Sequence, residues 1–492
     1  MNPILIGTET EYGFTVEGRT VNNQADDAIA FVRSYPGEGF SGWDYRNESP
    51  RSDMRGFQVS QLAYDRRDAE FDRGRLRTSA QEERSDWILP NGARFYNDHG
   101  HPEYATPECF SPNQAANHDY AGQIVVVKTA EAFAAETGRE VRVYKNNTDY
   151  SGASYGTHDN FLVPREIPID ELIQAITPML IARQILTGAG KVGSESGGPV
   201  RFQLSQRADF FEEAVNLETL SRRPIFNTRD EPHADSRFWR RLHVITCDAN
   251  LMPLCTARRL FLVQLAIRLL LEGKAPVWKV IDPVRSFKLT SRDLEGEGRI
   301  ETDEGLVTAR TVLESYLDAG CDLDWDNESR THLNECQKLL DARKSNFEWF
   351  KSKVDWAAKY WLLEQFRESE GLSWHDPYMQ SLDLEYHRVS GDDQLFAGLV
   401  DCGFVDALPS QSQVDACLSG EDLDSRALAR SIVVSRWKEH LVSASWASLV
   451  VQPDLTQQGT EEINLPPEIR YDQGLWRVES LREFCECIKE QK

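Results

Sequence analysis

No run of this sequence is apolar for the ~18 or more residues that a membrane-spanning helix needs. The opening Met1-Asn2-Pro3-Ile4-Leu5-Ile6-Gly7 lacks the basic region and the apolar run of a secretion signal. Basic residues are the minority, 55 Lys and Arg against 79 Asp and Glu, and the net charge is −24. A protein that grips nucleic acid by neutralising phosphates shows the opposite balance, so that class is set aside. The nine cysteines are scattered, odd in number and without a Cys-x-x-Cys pair. A reduced, cytoplasmic compartment is the expectation. The chain also has no Gly-x-x-x-x-Gly-Lys-Ser/Thr phosphate loop, no dinucleotide fingerprint after a strand and no His-Glu-x-x-His. Gly188-Ala189-Gly190-Lys191 lacks the upstream glycine that a phosphate loop requires.

What is present is ample material for a folded enzyme: 492 residues, 40% hydrophobic and 10% aromatic. Residues 3–14 read as a strand and 26–33 as a helix. Residues 35–85 carry no sustained hydrophobic period and read as one long loop, a feature that is usually functional or mobile. Strands are expected at 89–96 and 141–144, and packed helices at 123–136, 169–187 and 259–272. The charged stretch 301–351 reads as helical, as does 356–367. A polar stretch at 409–425 places a division between residues 1–420 and a small unit of residues 421–492. The default for assembly is a monomer.

The chemistry is carried by four clusters. Glu9 and Glu11 flank one residue on a strand, so period two puts both carboxylates on one face. Repulsion between them calls for a cation or basic group, and Mg²⁺ takes such hard oxygen ligands together with nucleotide phosphates. The segment from Asn91 to Tyr104 packs Asp98, two histidines and Glu103 into a short loop, richer than a turn needs. Asp98 is a candidate nucleophile or general base there, and Glu103 a candidate metal ligand. His158, in Gly156-Thr157-His158-Asp159-Asn160, is a third candidate for a metal or phosphate. Arg207 and Arg229 sit in polar motifs, and their forked donors suit phosphate. Arg240 and Arg241 read as the surface of a helix.

Together these motifs resemble the family of Pup ligases and Pup deamidases/depupylases. The resemblance is carried by Gly7-Thr8-Glu9-Thr10-Glu11-Tyr12-Gly13, by Asp98-His99-Gly100-His101-Pro102-Glu103 and by Trp446-Ala447-Ser448-Leu449-Val450, among others. It implies an α+β fold: a glutamine-synthetase-like curved antiparallel sheet forming a cradle, flanked by helices, with a small C-terminal domain. It also implies ATP and Mg²⁺ as cofactors, the nucleotide not being consumed at each turnover. The metal would be held by Glu9, Glu11, Glu103 and His158, and the nucleotide by Arg207, Arg229, His243 and Trp446. Asp98 matches the catalytic aspartate of the family, with Tyr96 beside it. The stretch Trp43-Asp44-Tyr45-Arg46-Asn47-Glu48 through Arg55 resembles a substrate loop of the deamidase branch, in which Trp43, Asp44, Glu48 and Arg55 stand out. The implied activity is hydrolysis of the amide or isopeptide bond at the C-terminal side chain of Pup, with Pup and pupylated proteins as partners. The alternatives are a Pup–protein ligase and a catalytically silent Pup-binding homologue. Met252-Pro253-Leu254-Cys255 departs from the family pattern, which typically has a Glu-Thr pair there.

Overall fold

The computed structural model describes residues 4–20, 23–62, 85–195, 197, 199–295, 299–406, 408–456 and 459–490. Its centre is a six-stranded sheet in the order Trp239–Val244, Thr157–Pro164, Ile6–Glu11, His101–Ala105, Arg94–Asp98, Trp87–Ile88. Every neighbouring pair in it is antiparallel. Alternation along each strand therefore sorts the side chains onto two faces with opposite fates.

On the rear face, Ile6, Thr8 and Thr10 stand beside Phe161, Asp159, Thr157 and Tyr104. Helices Ile169–Ala182 and Pro253–Leu271 bury Phe161, Val163 and Leu242 in one apolar cluster. Helices Gln24–Arg33 and Pro112–Thr137 bury Phe95 and Tyr104 in a second. The 26-residue helix Pro112–Thr137 starts where Ser111 accepts the backbone N–H of Gln114 and proline occupies the first turn. It stops at Gly138, whose φ of 65° suits a residue without a Cβ. Polar groups on the rear face are paired: Thr10 Oγ1 donates to Asp119, which also takes Lys145 Nζ at 2.7 Å. Asp159 sits between Arg259 and Arg183, and burial of that carboxylate is outweighed by the two guanidiniums, which hold it below the usual range.

Helix Arg426–Arg436, the sheet Leu441–Ala444, Ser448–Val451, Glu461–Asn464, and helix Leu481–Glu490 share a separate apolar cluster. Trp43 and Ile88, far earlier in the chain, insert into it. Glu108 follows the sheet strand His101–Ala105 and accepts from Arg426 Nε at 2.6 Å and from Arg430, joining the two clusters by charge.

The structure departs from the sequence expectation at several elements. Arg240 and Arg241 lie on the edge strand Trp239–Val244, not on a helix. The strand expected at 89–96 runs instead over Arg94–Asp98, because Leu89 to Ala93 forms a turn in which the Gly92 N–H donates to Leu89 O. The stretch 301–351 opens with a hairpin, Arg299–Thr302 and Gly305–Thr308, before its helices begin; four residues are too short for alternation to stand out from a charged surface. Much of the expected loop 35–85 is docked. Residues 63–84 of it lie outside the described residues.

Candidate active site

The front face of the sheet carries Glu9 and Glu11 on the first strand. Register sets Glu9 opposite His158 and Glu11 opposite Glu103; Tyr96 then lies opposite Glu103, and Asp98 opposite His101. Arg241 and His243 fall on the same face of the edge strand. This alternation brings all four expected metal ligands, the two expected catalytic residues and His243 to one wall of a cavity of ≈1070 Å³. Arg207, Arg229, Trp446 and Glu48 line it too, whereas Trp43, Asp44 and Arg55 do not.

The acids and histidines divide into two ion-sized groups, Glu11–Asp98–Glu103 and Glu9–His158–His243, each with ligand atoms within 4.8 Å of one another. The four expected ligands thus belong to two neighbouring groups, and His243 falls in the second. The groups differ in electrostatics. Burial pushes the Glu9 carboxyl up, but the partners His158 and His243 and the charge of Arg241 outweigh it, so Glu9 is held well below the usual carboxylate range. Its Oε2 is 3.1 Å from His158 Nδ1 and its Oε1 is 3.5 Å from Arg241 Nη1. Glu103 goes the other way: burial, then the charges of Asp98, Glu9 and Glu11, push it well above the usual range. Three carboxylates with hard oxygens and too little counter-charge fit Mg²⁺. Among the described residues buried His243 makes no close hydrogen bond from either ring nitrogen, its Nε2 lying 3.6 Å from Glu9 Oε2, and burial depresses its pKa to about 3, so it is a neutral base that a ligand would share with Glu9.

Tyr96 donates to Glu103 Oε1 at 2.5 Å. Burial and the charge of Glu103 push its phenol well above the ordinary value, so it stays protonated and holds Glu103 in place. Asp98 Oδ2 is 3.0 Å from His99 Nδ1, and its side chain keeps 23% of its exposure, enough to meet a substrate. The φ of His99 is 46° and that of Gly100 is 90°, which makes the tight turn that returns the chain to His101 and Glu103.

Two arginines suit an anion. Arg207 is almost fully buried; its Nη1 donates to Ile245 O at 2.6 Å while Nε has no hydrogen-bond partner. Burial, reinforced by the neighbouring Arg223 charge, lowers it to about 10. Arg229 donates from Nη2 to Thr219 Oγ1, and its buried Nε also has no hydrogen-bond partner. Buried cationic groups with unused donors are a fitting seat for nucleotide phosphates.

The segment after the first helix is fastened over this wall. Trp43 packs edge-on against Trp446, with ring centroids 4.9 Å apart, and the Arg94 guanidinium lies over Trp43, Tyr45 and Tyr96. Trp43 Nε1 donates to Glu48. The Ser49 N–H donates to Glu231, and Thr228 Oγ1 to Asp53. Asp44 and Asp53 pair with Arg46 and Arg55, so Asp44 and Arg55 shape the segment. Glu48, Pro50 and Leu62 reach the cavity.

Sequence reasoning passed over Arg94, Glu231 and Arg241. Arg241 donates to Asn160 Oδ1 at 2.6 Å and to Glu231 O, and faces Glu9. The available signal was a period-two count from His243 along an apolar strand, hidden once 240–241 was taken as helical. Met252, Pro253, Leu254 and Cys255 start the helix behind the sheet and do not line the cavity.

Residues 4–450 match the family model described as Pup-ligase protein. A relative from Acidothermus cellulolyticus named depupylase is 34% identical, over 91% of this chain and 90% of its own. One from Mycobacterium tuberculosis named Pup deamidase/depupylase is 36% identical, again over 91% and 90%. A Pup–protein ligase from Micrococcus luteus is 36% identical over 74% of this chain and 83% of its own. The fold resembles the ligase PafA in its complex with Pup, with a TM-score of 0.78 at 24% identity, covering 99% of this chain and 93% of that one. It also resembles PafA in complex with ADP, with a TM-score of 0.72 at 26% identity, covering 88% and 95%.

Proposed function

The chain belongs to the Pup-ligase family, and from that premise we propose that it is a hydrolase of this family, a depupylase and Pup deamidase that works with ATP and Mg²⁺. The observation that carries the hydrolytic reading is the docked segment 43–62, which brings Glu48, Pro50 and Leu62 into the cavity that holds Asp98. The depupylase relatives are matched over 91% of the chain and the Micrococcus ligase over 74%, which supports the same direction. Pup as partner is supported by six arginines on the cavity wall of an acidic chain: Arg19, Arg94, Arg207, Arg223, Arg229 and Arg241. The reduced cytoplasm is part of this reading; among the described residues no helix is long and apolar enough to cross a membrane.

Glu11 and Glu103, with Asp98 beside them, would hold the cation; Arg207 and Arg229 would take phosphate oxygens, and Trp446 the nucleotide. When bound, Mg²⁺ would supply positive charge that polarises an oxygen of the substrate or nucleotide. An amide carbonyl resists water, so the chain's own work is to align a carboxylate with it. Asp98, at the end of its strand and beside His99, would attack the carbonyl carbon and expel the amine, which takes a proton from solvent, leaving an anhydride that water hydrolyses; as base it would instead take a proton from the attacking water and return it to the departing amine. Arg241, fixed by Asn160 and Glu231, holds Glu9 and adds charge near the developing oxyanion. Tyr96 positions Glu103.

The test is incubation with ATP, Mg²⁺ and a Pup-conjugated protein. A hydrolase releases free Pup. A ligase makes new conjugates from Pup ending in Glu, and a silent binder does neither. Asp98→Asn should abolish release while the protein stays folded; a fully active variant overturns the assignment.

A further inference from the structure

Of the three ion-sized groups among the described residues, two belong to the cavity and one does not. The third is His118, Cys417 and Asp422. His118 lies in the second turn of the long helix Pro112–Thr137, and Cys417 near the end of helix Gln411–Ser419. Gly420 ends that helix with a φ of 77°, and the N–H groups of Gly420 and Glu421 both donate to Ala416 O. This turn swings Asp422 back over Cys417. Asp422 is tied down from the other side by Gln114, whose Nε2 donates to its carbonyl at 2.6 Å.

The three side chains meet at Asp422, which accepts from Cys417 Sγ and is ion-paired with His118. His118 is fully buried, and neither ring nitrogen has a hydrogen-bond partner. Its Nε2 stands 3.2 Å from Asp422 Oδ1, but that oxygen is also without a hydrogen-bond partner. Cys417 Sγ is 3.5 Å from Asp422 Oδ2. A fully buried imidazole whose Nδ1 has no polar partner among the described residues is costly as a packing element. An ion with bonds of ~2.0–2.3 Å to sulfur, nitrogen and oxygen holds its ligand atoms roughly 3–4 Å apart, and the two distances to the Asp422 oxygens, 3.2 Å from His118 and 3.5 Å from Cys417, fall in that range.

We propose that His118, Cys417 and Asp422 form a zinc site that clamps the segment ahead of the C-terminal unit onto the helix behind the catalytic sheet. Thiolate, imidazole and carboxylate are a zinc ligand set, too soft for Mg²⁺. Water completes the tetrahedron, entering beside Asp422, whose side chain is 28% exposed. The role is structural, since the group is not among the residues that line the cavity.

Full-length protein stripped of metal and titrated with Co²⁺ tests this. The cavity groups contain no cysteine, so a thiolate-to-cobalt charge-transfer band reports the third site alone. The expected result is a band that saturates at one equivalent, is displaced by Zn²⁺ and is missing in Cys417→Ser. His118→Asn should weaken zinc binding by at least ~10-fold, the loss seen even for outer partners of metal ligands. A wild-type titration without the band overturns the proposal whether or not the variants fold. So does a band that survives Cys417→Ser.

Discussion

Replacing Glu103 by Gln should pull stability and function in opposite directions. Glu11, Asp98 and Glu103 bring carboxylate oxygens within 4.8 Å of one another. Two unit charges at that distance repel by roughly 3 kcal/mol at an effective dielectric constant of about 20. Burial first, and this repulsion second, push the Glu103 carboxyl well above its usual range, so without a cation it keeps a proton. Gln is the neutral shape of that state, and its Oε1 still accepts from Tyr96. The metal-free variant should therefore melt no lower than the wild type, and higher at alkaline pH. With Mg²⁺ present the variant lacks one attractive charge of about the same size, roughly 3 kcal/mol, or about 100-fold in Kd. Thermal denaturation with and without Mg·ATP, and calorimetric titration of Mg·ATP, measure both halves. A variant that melts well below the wild type without metal, yet binds Mg·ATP equally well, refutes the charge argument.

Arg241→Met removes the fixed cation facing Glu9 and should lower the cleavage rate by about 10²-fold, the scale of losing one aimed charge in a dry site; unchanged steady-state turnover of conjugate would exclude the role. Gly156→Ala should cost at least ~10²-fold as well, since its Cβ would stand 2.3 Å from His158 Nε2 and 2.6 Å from Glu11 Oε1 and drive two ligands apart. A normal pupylated-substrate time course in that variant would show that the cavity tolerates the shift. Glu108→Gln leaves Arg426 and Arg430 buried without their carboxylate and should destabilise by about 3–5 kcal/mol in urea unfolding. Glu108 is held below its ordinary value because the two arginines outweigh burial. Its stabilisation is thus complete above the unfolded value near 4.5 and is lost as pH falls below it. The wild type should show this extra acid sensitivity and the variant should not.

How much of this was legible in the sequence depended on range. Glu9 and Glu11 were readable because period two acts within one strand. So was the chemistry of Asp98–Glu103, because its composition exceeds what a turn requires, although the expected loop is a hairpin in which only His99 and Gly100 lie off the strands. Pairing was not readable: that Glu9 meets His158 and Glu11 meets Glu103 is fixed by register across 149 and 92 positions of chain, and the polar residues of one strand say nothing about which strand comes alongside. The division of the ligands into two groups follows only from that register. Arg241 was missed for a related reason. Its flanking Trp, Arg and Leu fit a helix as well as an edge strand, and the choice is made by hydrogen bonding to Thr157–Pro164. The third ion-sized group escaped entirely, because His118, Cys417 and Asp422 lack any short ligand spacing and meet only through the Gly420 turn.

The front face of the sheet does not by itself separate cleavage from ligation. A carboxylate poised at a glutamyl carbonyl beside bound cation serves either direction, and the outcome depends on whether water or a lysine amine reaches the carbonyl. Relatives of both names are 36% identical to this chain, as expected if the shared part is the sheet and its packing. The deciding structure must then lie outside that face. Behind the cavity lining, Trp43 packs on the lining residues Trp446 and Arg94, and Arg94 is joined through Tyr96 to Glu103. A change at Trp43 therefore reaches Glu103 through two aromatic contacts and one hydrogen bond. On this geometry Trp43→Ala should alter the ratio of cleavage to nucleotide affinity, and not merely loosen a surface segment.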